Sequence, residues 1–147
     1  RRLLREHGDT PAAAQYSDRE TQERRFAVLA GIGPVARASV LDFGSGTGHL
    51  LTFLQTHGQA PAAYTGVDLV DELLAVGRAK HPDARFCRLE DVAGERFDWI
   101  FVSGVFNNRR RDNRRFYQQT VRDLFARCSR GLAFNMMSTW VDYQDPG

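Results

Sequence analysis

Two rhythms of apolar residues alternate through this sequence. Short, nearly continuous apolar runs occur in "SVLDF" (39–43), "AYTGVDL" (63–69), "RFCRLED" (85–91), "RFDWIFVSGV" (96–105) and "GLAFNMMS" (131–138). Runs of this length between polar or glycine-containing breaks predict buried strands. "DWIFVS" is apolar almost throughout, which suits a central strand covered on both faces. Between the strands the spacing becomes helical. Leu50, Leu51 and Leu54 share one stripe, with Gly58 as the stop. "DELLAVGRAKHPDA" (71–84) predicts a helix closed by Pro82. Phe116, Thr120, Val121, Leu124, Phe125 and Cys128 continue a third helix, with Gly131 where a left-handed cap belongs. Ahead of the first strand, residues 16–33 read as a further helix. There Ser17 and Glu20 have capping-box spacing, Phe26, Leu29 and Ala30 form the apolar face, and Gly31 or Gly33 is the end. Residues 1–15 read as a loose lead-in, and the tail after 138 as irregular. Strand and helix in strict alternation predict parallel strands joined by right-handed crossovers. The expected fold class is therefore α/β, a doubly wound parallel sheet with helices on both faces.

Composition narrows the class without changing it. A chain of 147 residues that is 42% hydrophobic and 26% charged suits one globular domain, residues 1–147. No apolar run is long enough to span a bilayer, and the opening "RRLLREHGDT" is too polar for a secretory signal. Cys87 and Cys128 lack metal-site spacing, so neither a metal site nor a disulfide framework is expected. Together these features predict a cytoplasmic protein. The net charge of +2 selects no partner class, and nucleic acid is not the expected one. The run "NNRRRDNRR" (107–115) is a solvated loop or helix start, or else a contact for an anion. A chain that starts without Met is expected to be a fragment or a trimmed product.

The strand ends carry the candidate chemistry. Doubly wound sheets bind ligands outside the carboxyl ends of their strands, near the switch in strand order. Asp42 to Gly48 follow the first strand, Asp68 ends the second, Glu90 and Asp91 follow the third, and Ser103 follows the fourth. Gly44 and Gly46 have no side chains, so a ligand can lie against their backbone. Gly48 allows the next helix to approach the sheet. Asp68, about twenty residues beyond the turn, is where a carboxylate accepts both ribose hydroxyls. A second acidic residue on the next strand can accept from an adenine amino group, so the ligand is expected to contain adenosine. The turn reads G-x-G-x-G, and position 49 is His where a dinucleotide fingerprint has Gly. There is no Walker lysine. Asp42 puts a carboxylate at the turn, which suits a ligand bearing an ammonium group better than a pyrophosphate.

With those residues in view, "VLDFGSGTG" resembles motif I of the class I S-adenosylmethionine-dependent methyltransferases. "YTGVDL" resembles their ribose-binding acidic strand, "RFCRLEDV" the adenine-contacting segment and "FDWIFVSGVFN" motif IV. The resemblance covers residues 39–137. It implies a Rossmann-like domain that transfers a methyl group from S-adenosylmethionine to a small-molecule or otherwise unidentified acceptor, leaving S-adenosylhomocysteine. The alternative is a cofactor-binding module without transferase activity. By resemblance, Gly44 and Gly46 lie along the cofactor's methionine part, Asp42 belongs to the methionine-facing pocket, and Ser45 and Gly48 count among the cofactor-binding residues of the same turn. Asp68 and Leu69 belong to the ribose strand end, Glu90 or Asp91 contacts adenine, and Ser103 follows motif IV. Arg25 reaches for the cofactor's carboxylate or is a surface charge. Glu90 and Asp91 are read as strand neighbours facing opposite ways, so one of them is expected to reach the ring. No catalytic residue is implied: Asn107 and Asn108 stand where some families carry [DN]PPY, and they read equally as turn caps. The family's sheet has seven strands, the last two a hairpin, and this chain is expected to stop after five. The fifth strand is then an exposed edge on which an oligomer could form.

Overall fold

The computed structural model describes residues 19–105 and 113–136. Helix α1 (Arg19–Ala30) precedes β1 (Ser39–Phe43), α2 (His49–Thr56), β2 (Ala63–Val67), α3 (Asp71–Lys80), β3 (Arg85–Cys87), β4 (Phe97–Val102), α4 (Asn113–Phe125) and β5 (Cys128–Phe134). The sheet order is β3-β2-β1-β4-β5, with every pairing parallel. The order reverses between β1 and β4, which defines the switch point. The doubly wound reading is borne out.

The strands alternate their side chains between two cores. One face carries Val40, Tyr64, Phe86, Trp99 and Phe101 under α1, α2 and α3. The other carries Leu41, Val67, Ile100, Val102 and Leu132 under α4. β1 lies between β2 and β4, and Val40 and Leu41 on its opposite faces are wholly buried. Ser39 and Asp98 lock β1 to β4 reciprocally: Ser39 N–H donates to Asp98 Oδ2 (3.0 Å) and Asp98 N–H to Ser39 Oγ (2.9 Å).

Helix ends follow local chemistry. Gly58 adopts φ 70° just past α2, as the left-handed stop expected there. α3 has Asp71 and Glu72 in its first turn and Arg78 and Lys80 in its last, each sign opposing the helix dipole. Pro82 follows two residues after its end, as anticipated.

Three boundaries differ from the sequence reading. α4 ends at Phe125, and Cys128 begins β5 instead of completing the helix. Gly131 is accordingly no cap: it lies within β5 opposite Trp99. A Cβ there would come within 2.8 Å of the Trp99 ring, so a glycine is needed to seat the indole. β3 is three residues long, and Leu89–Val92 forms a 3-10 turn in place of more strand. α1 ends at Ala30 as Gly31 N–H returns to Ala27 O. Ser17, and with it the capping box, lies outside the described residues, as do Tyr16, Asn107, Asn108, Trp140 and Tyr143.

Among the described residues β5 is an edge strand, and Phe134 and Met136 at its end are 38% and 48% exposed. Among the described residues, no helix is long and apolar enough to cross a membrane.

Candidate functional site

Because all five strands run parallel, the segments following β1, β2, β3 and β4 emerge at one edge. The turn after β1 is built on positive φ at Gly44 (77°), Gly46 (56°) and Gly48 (90°). This left-handed backbone strains any residue with a Cβ. The three positions nevertheless differ. A Cβ on Gly48 would press on Phe86 Cζ at 2.8 Å and His81 Cδ2 at 3.0 Å, so this glycine lets α2 close onto the sheet. A Cβ on Gly44 would overlap Val105 Cγ2, which brings the segment after β4 against the turn. A Cβ on Gly46 would meet nothing within 4 Å. Gly46 is the bare stretch of backbone that faces open space.

The turn is tied to its neighbours. The N–H groups of Gly44 and Ser45 both donate to Val67 O, at 2.9 and 3.0 Å. Gly66 leaves the space in which the buried Ser45 side chain sits, since a Cβ there would lie 2.7 Å from Ser45 Oγ. Asp68 does more than follow a strand. Its Oδ2 accepts from Gly46 N–H and its Oδ1 from Val70 N–H, both at 3.0 Å. One half-buried carboxylate thus links the first strand's turn to the second's, and each of its oxygens keeps a further lone pair. Leu69 beside it is 66% exposed, a large apolar side chain open to solvent at the site's edge.

After β3, the 3-10 turn separates two carboxylates that a strand would have set on opposite faces. Asp91 folds back, and its Oδ2 accepts from Arg88 N–H at 3.0 Å. Glu90 is exposed on the same turn. Arg88 Nε donates to Asp71 Oδ1 at 2.9 Å, fastening this turn to the start of α3. After β4, Asn135 reaches across from the end of β5. Its Oδ1 accepts from Gly104 N–H at 2.9 Å, and its Nδ2 donates to Ser103 Oγ at 3.4 Å. Arg25 is exposed on α1, away from the converging turns in sequence.

Asp42 lies beneath the turn and not at its mouth. It is 2% exposed, and its Oδ2 accepts the Tyr64 hydroxyl proton at 2.5 Å. Burial pushes its carboxyl up to about 7; the Tyr64 hydrogen bond pulls it down and the Asp68 charge adds to the rise. Burial, then the Asp42 charge, pushes the Tyr64 hydroxyl well above its usual range. The carboxylate anticipated at the turn is therefore a buried group whose carboxyl is raised to about 7.

Sequence reasoning missed Tyr64, Gly66 and Asn135. Tyr64 reads as an ordinary strand aromatic; a polar ring two positions before a buried glycine was its one signal. Asn135, a polar residue inside "LAFNMM", interrupts an apolar run and could have been noticed.

The chain's sequence matches the methyltransferase domain family over residues 40–127. No curated protein matches it. Among solved structures, it resembles magnesium protoporphyrin IX methyltransferase from Synechocystis PCC 6803 with bound S-adenosylhomocysteine. The TM-score is 0.61 at 18% identity, over 78% of this chain and 53% of that one. It resembles an S-adenosylmethionine-bound amino pentose methyltransferase from Micromonospora echinaspora at TM-score 0.59 and 20% identity, over 85% and 53% of the two chains. DesVI of Streptomyces venezuelae gives TM-score 0.61 at 17% identity, over 97% and 57%. The chain spans little more than half the length of these proteins.

Proposed function

Because the chain belongs to the methyltransferase domain family, we propose that it takes part in transferring a methyl group from S-adenosylmethionine to a small-molecule acceptor. The observation that carries this reading is the join of the turn after β1 to the strand end after β2. The open backbone at Gly46 and the Asp68 carboxylate are hydrogen-bonded across the ends of β1 and β2, beside the switch point of the sheet. A cofactor with a polar nucleoside and a flexible amino-acid arm fits these residues. The unobstructed space over Gly46 takes the chain of the ligand, and the spare lone pairs of Asp68 take its ribose hydroxyls. Two solved structures it resembles are methyltransferases named for a porphyrin and an amino sugar, which supports a small-molecule acceptor.

S-adenosylmethionine, when bound, supplies a methyl already activated on a sulfonium sulfur, so the protein's task is alignment and exclusion of water. In this reading Gly44, Ser45, Gly46 and Gly48 shape the surface along the methionine part, with Asp42 beneath it. Leu69 offers its exposed apolar side chain to the adenine. Glu90 is the carboxylate left to accept from the adenine amino group, since Asp91 is turned back onto Arg88 N–H. Ser103, held by Asn135, lines the crevice after β4. Arg25 is assigned to the cofactor's carboxylate. The two free cysteines suit a reducing cytoplasm, and the exposed β5 edge is the surface on which self-association would occur.

Titration calorimetry of the chain with S-adenosylhomocysteine and with NAD tests the cofactor. Binding of the first alone is expected; binding of NAD alone overturns the reading. A labelled-methyl transfer assay of the full-length protein on a panel of small-molecule acceptors tests the reaction. Cofactor binding with no transfer to any acceptor would favour a binding module.

A further inference from the structure

The buried pair Asp42–Tyr64 has a consequence for what the turn can bind. Asp42 is the penultimate residue of β1, on the face shared with Val40 and under α1, α2 and α3. Tyr64 stands on β2 opposite Val40, so its ring runs along the strand and its hydroxyl meets Asp42 Oδ2. Both are buried, at 2% and 5% exposure, with Val40, Leu50 and Leu54 in the surrounding core. A carboxyl in such a place is ionised only at a cost, and a donated hydroxyl lowers that cost. A cation arriving at the turn lowers it further.

We infer that Tyr64 is a positioning residue that orients Asp42 and sets its readiness to ionise, so that the turn takes up a ligand bearing an ammonium group with release of a proton, and a ligand without one with no proton exchanged. This rests on the cofactor reading above and adds a charge selectivity and a pH dependence to it. The balance is simple: neutral Asp42 loses its proton to solvent, and its negative charge beneath the turn offsets that of the ammonium above it. Burial, which pushes the Asp42 carboxyl up to about 7, supports the same conclusion. Of the groups around Asp42, Tyr64 projects from β2, and Asp68 follows it and adds its negative charge. His49 opens α2 directly after the turn, and His81 follows α3, its ring in reach of Thr52 at 3.1 Å. Both histidines lie beside the turn, so the test must separate their contribution from that of Asp42.

The test is calorimetry of the chain with S-adenosylhomocysteine, which carries the ammonium, and with 5′-methylthioadenosine, which lacks it, between pH 6 and 8. With a midpoint near 7, affinity for the first is expected to rise about tenfold across this range. At pH 7, about half a proton should be released per ligand bound, read from buffers of different ionisation enthalpy. Affinity for the second should stay level. Tyr64→Phe removes only the hydroxyl and leaves both histidines in place. It should move the midpoint upward and weaken S-adenosylhomocysteine about fivefold at pH 7, with 5′-methylthioadenosine unaffected. Asp42→Asn should abolish the pH dependence. A level profile for S-adenosylhomocysteine overturns the inference while leaving the cofactor reading intact, as does a rising profile that Tyr64→Phe does not move. Failure of both ligands to bind overturns the cofactor reading and the inference with it.

Discussion

Replacing Asp68 with alanine removes two hydrogen bonds from the protein before it removes any from a ligand. Its carboxylate accepts from Gly46 N–H and Val70 N–H, each at 3.0 Å. A hydrogen bond to a charged group contributes about 1.5–3 kcal/mol. Asp68 is half-buried, so water takes over part of each lost contact, and the pair together is worth about 2 kcal/mol. For a chain of this size that lowers the melting temperature by roughly 4–8 °C. The same substitution removes the acceptor assigned to the ribose. S-adenosylhomocysteine is then expected to bind more weakly by about 1–3 kcal/mol, roughly 5- to 150-fold. Thermal unfolding without ligand and calorimetry with it read the two effects separately. An unchanged melting temperature would refute the structural role of the carboxylate. A lowered melting temperature with unchanged affinity would move the ribose site elsewhere.

The glycines of the turn should separate folding from binding. Gly48→Ala, with φ 90° and Phe86 Cζ 2.8 Å from the new methyl, is expected to destabilise the fold by about 2–4 kcal/mol in urea titration. Gly46→Ala, strained in backbone but open around its Cβ, should cost about 1 kcal/mol of stability and yet weaken S-adenosylhomocysteine at least tenfold. Equal effects of the two on binding would contradict this division. On the turn after β3, Glu90→Ala should weaken the ligand with little change in melting temperature. Asp91→Ala, which frees Arg88 N–H, should do the reverse. Asp42 makes a pH prediction of definite sign. Its carboxyl is raised in the fold to about 7 against about 3.9 in the unfolded chain, so the folded state binds more protons in between. Its contribution is therefore full below pH 4 and is lost as the pH rises to about 7. Wild type should lose about 2–3 kcal/mol relative to Asp42→Asn between pH 5 and 8 in urea unfolding. A constant difference between the two proteins would refute the raised value.

The order of strands and helices was legible because each period is local. "DWIFVS" cannot alternate faces with water, and "HLLTFLQT" cannot be a strand with one apolar side, so neighbouring residues alone decide each element. The glycine turn was legible for a similar reason, as three left-handed residues in one short turn strongly favour glycine at each. Asp68 was placed correctly just past its strand, because parallel topology carries the strand ends to one edge. The states of the carboxylates were another matter. Whether Glu90 or Asp91 is left for a ligand depended on a 3-10 turn whose N–H from Arg88 selects Asp91. Gly131 resembled a helix stop until the Trp99 ring, thirty-two positions earlier in the chain, claimed the space over it. Asp42 read as a carboxylate at the turn, facing a ligand, until three helices buried it and Tyr64 arrived from the next strand. Backbone geometry is a property of a few consecutive residues and can be read from them. The ionisation of a side chain depends on what excludes water from it, and those groups come from four separate parts of the chain.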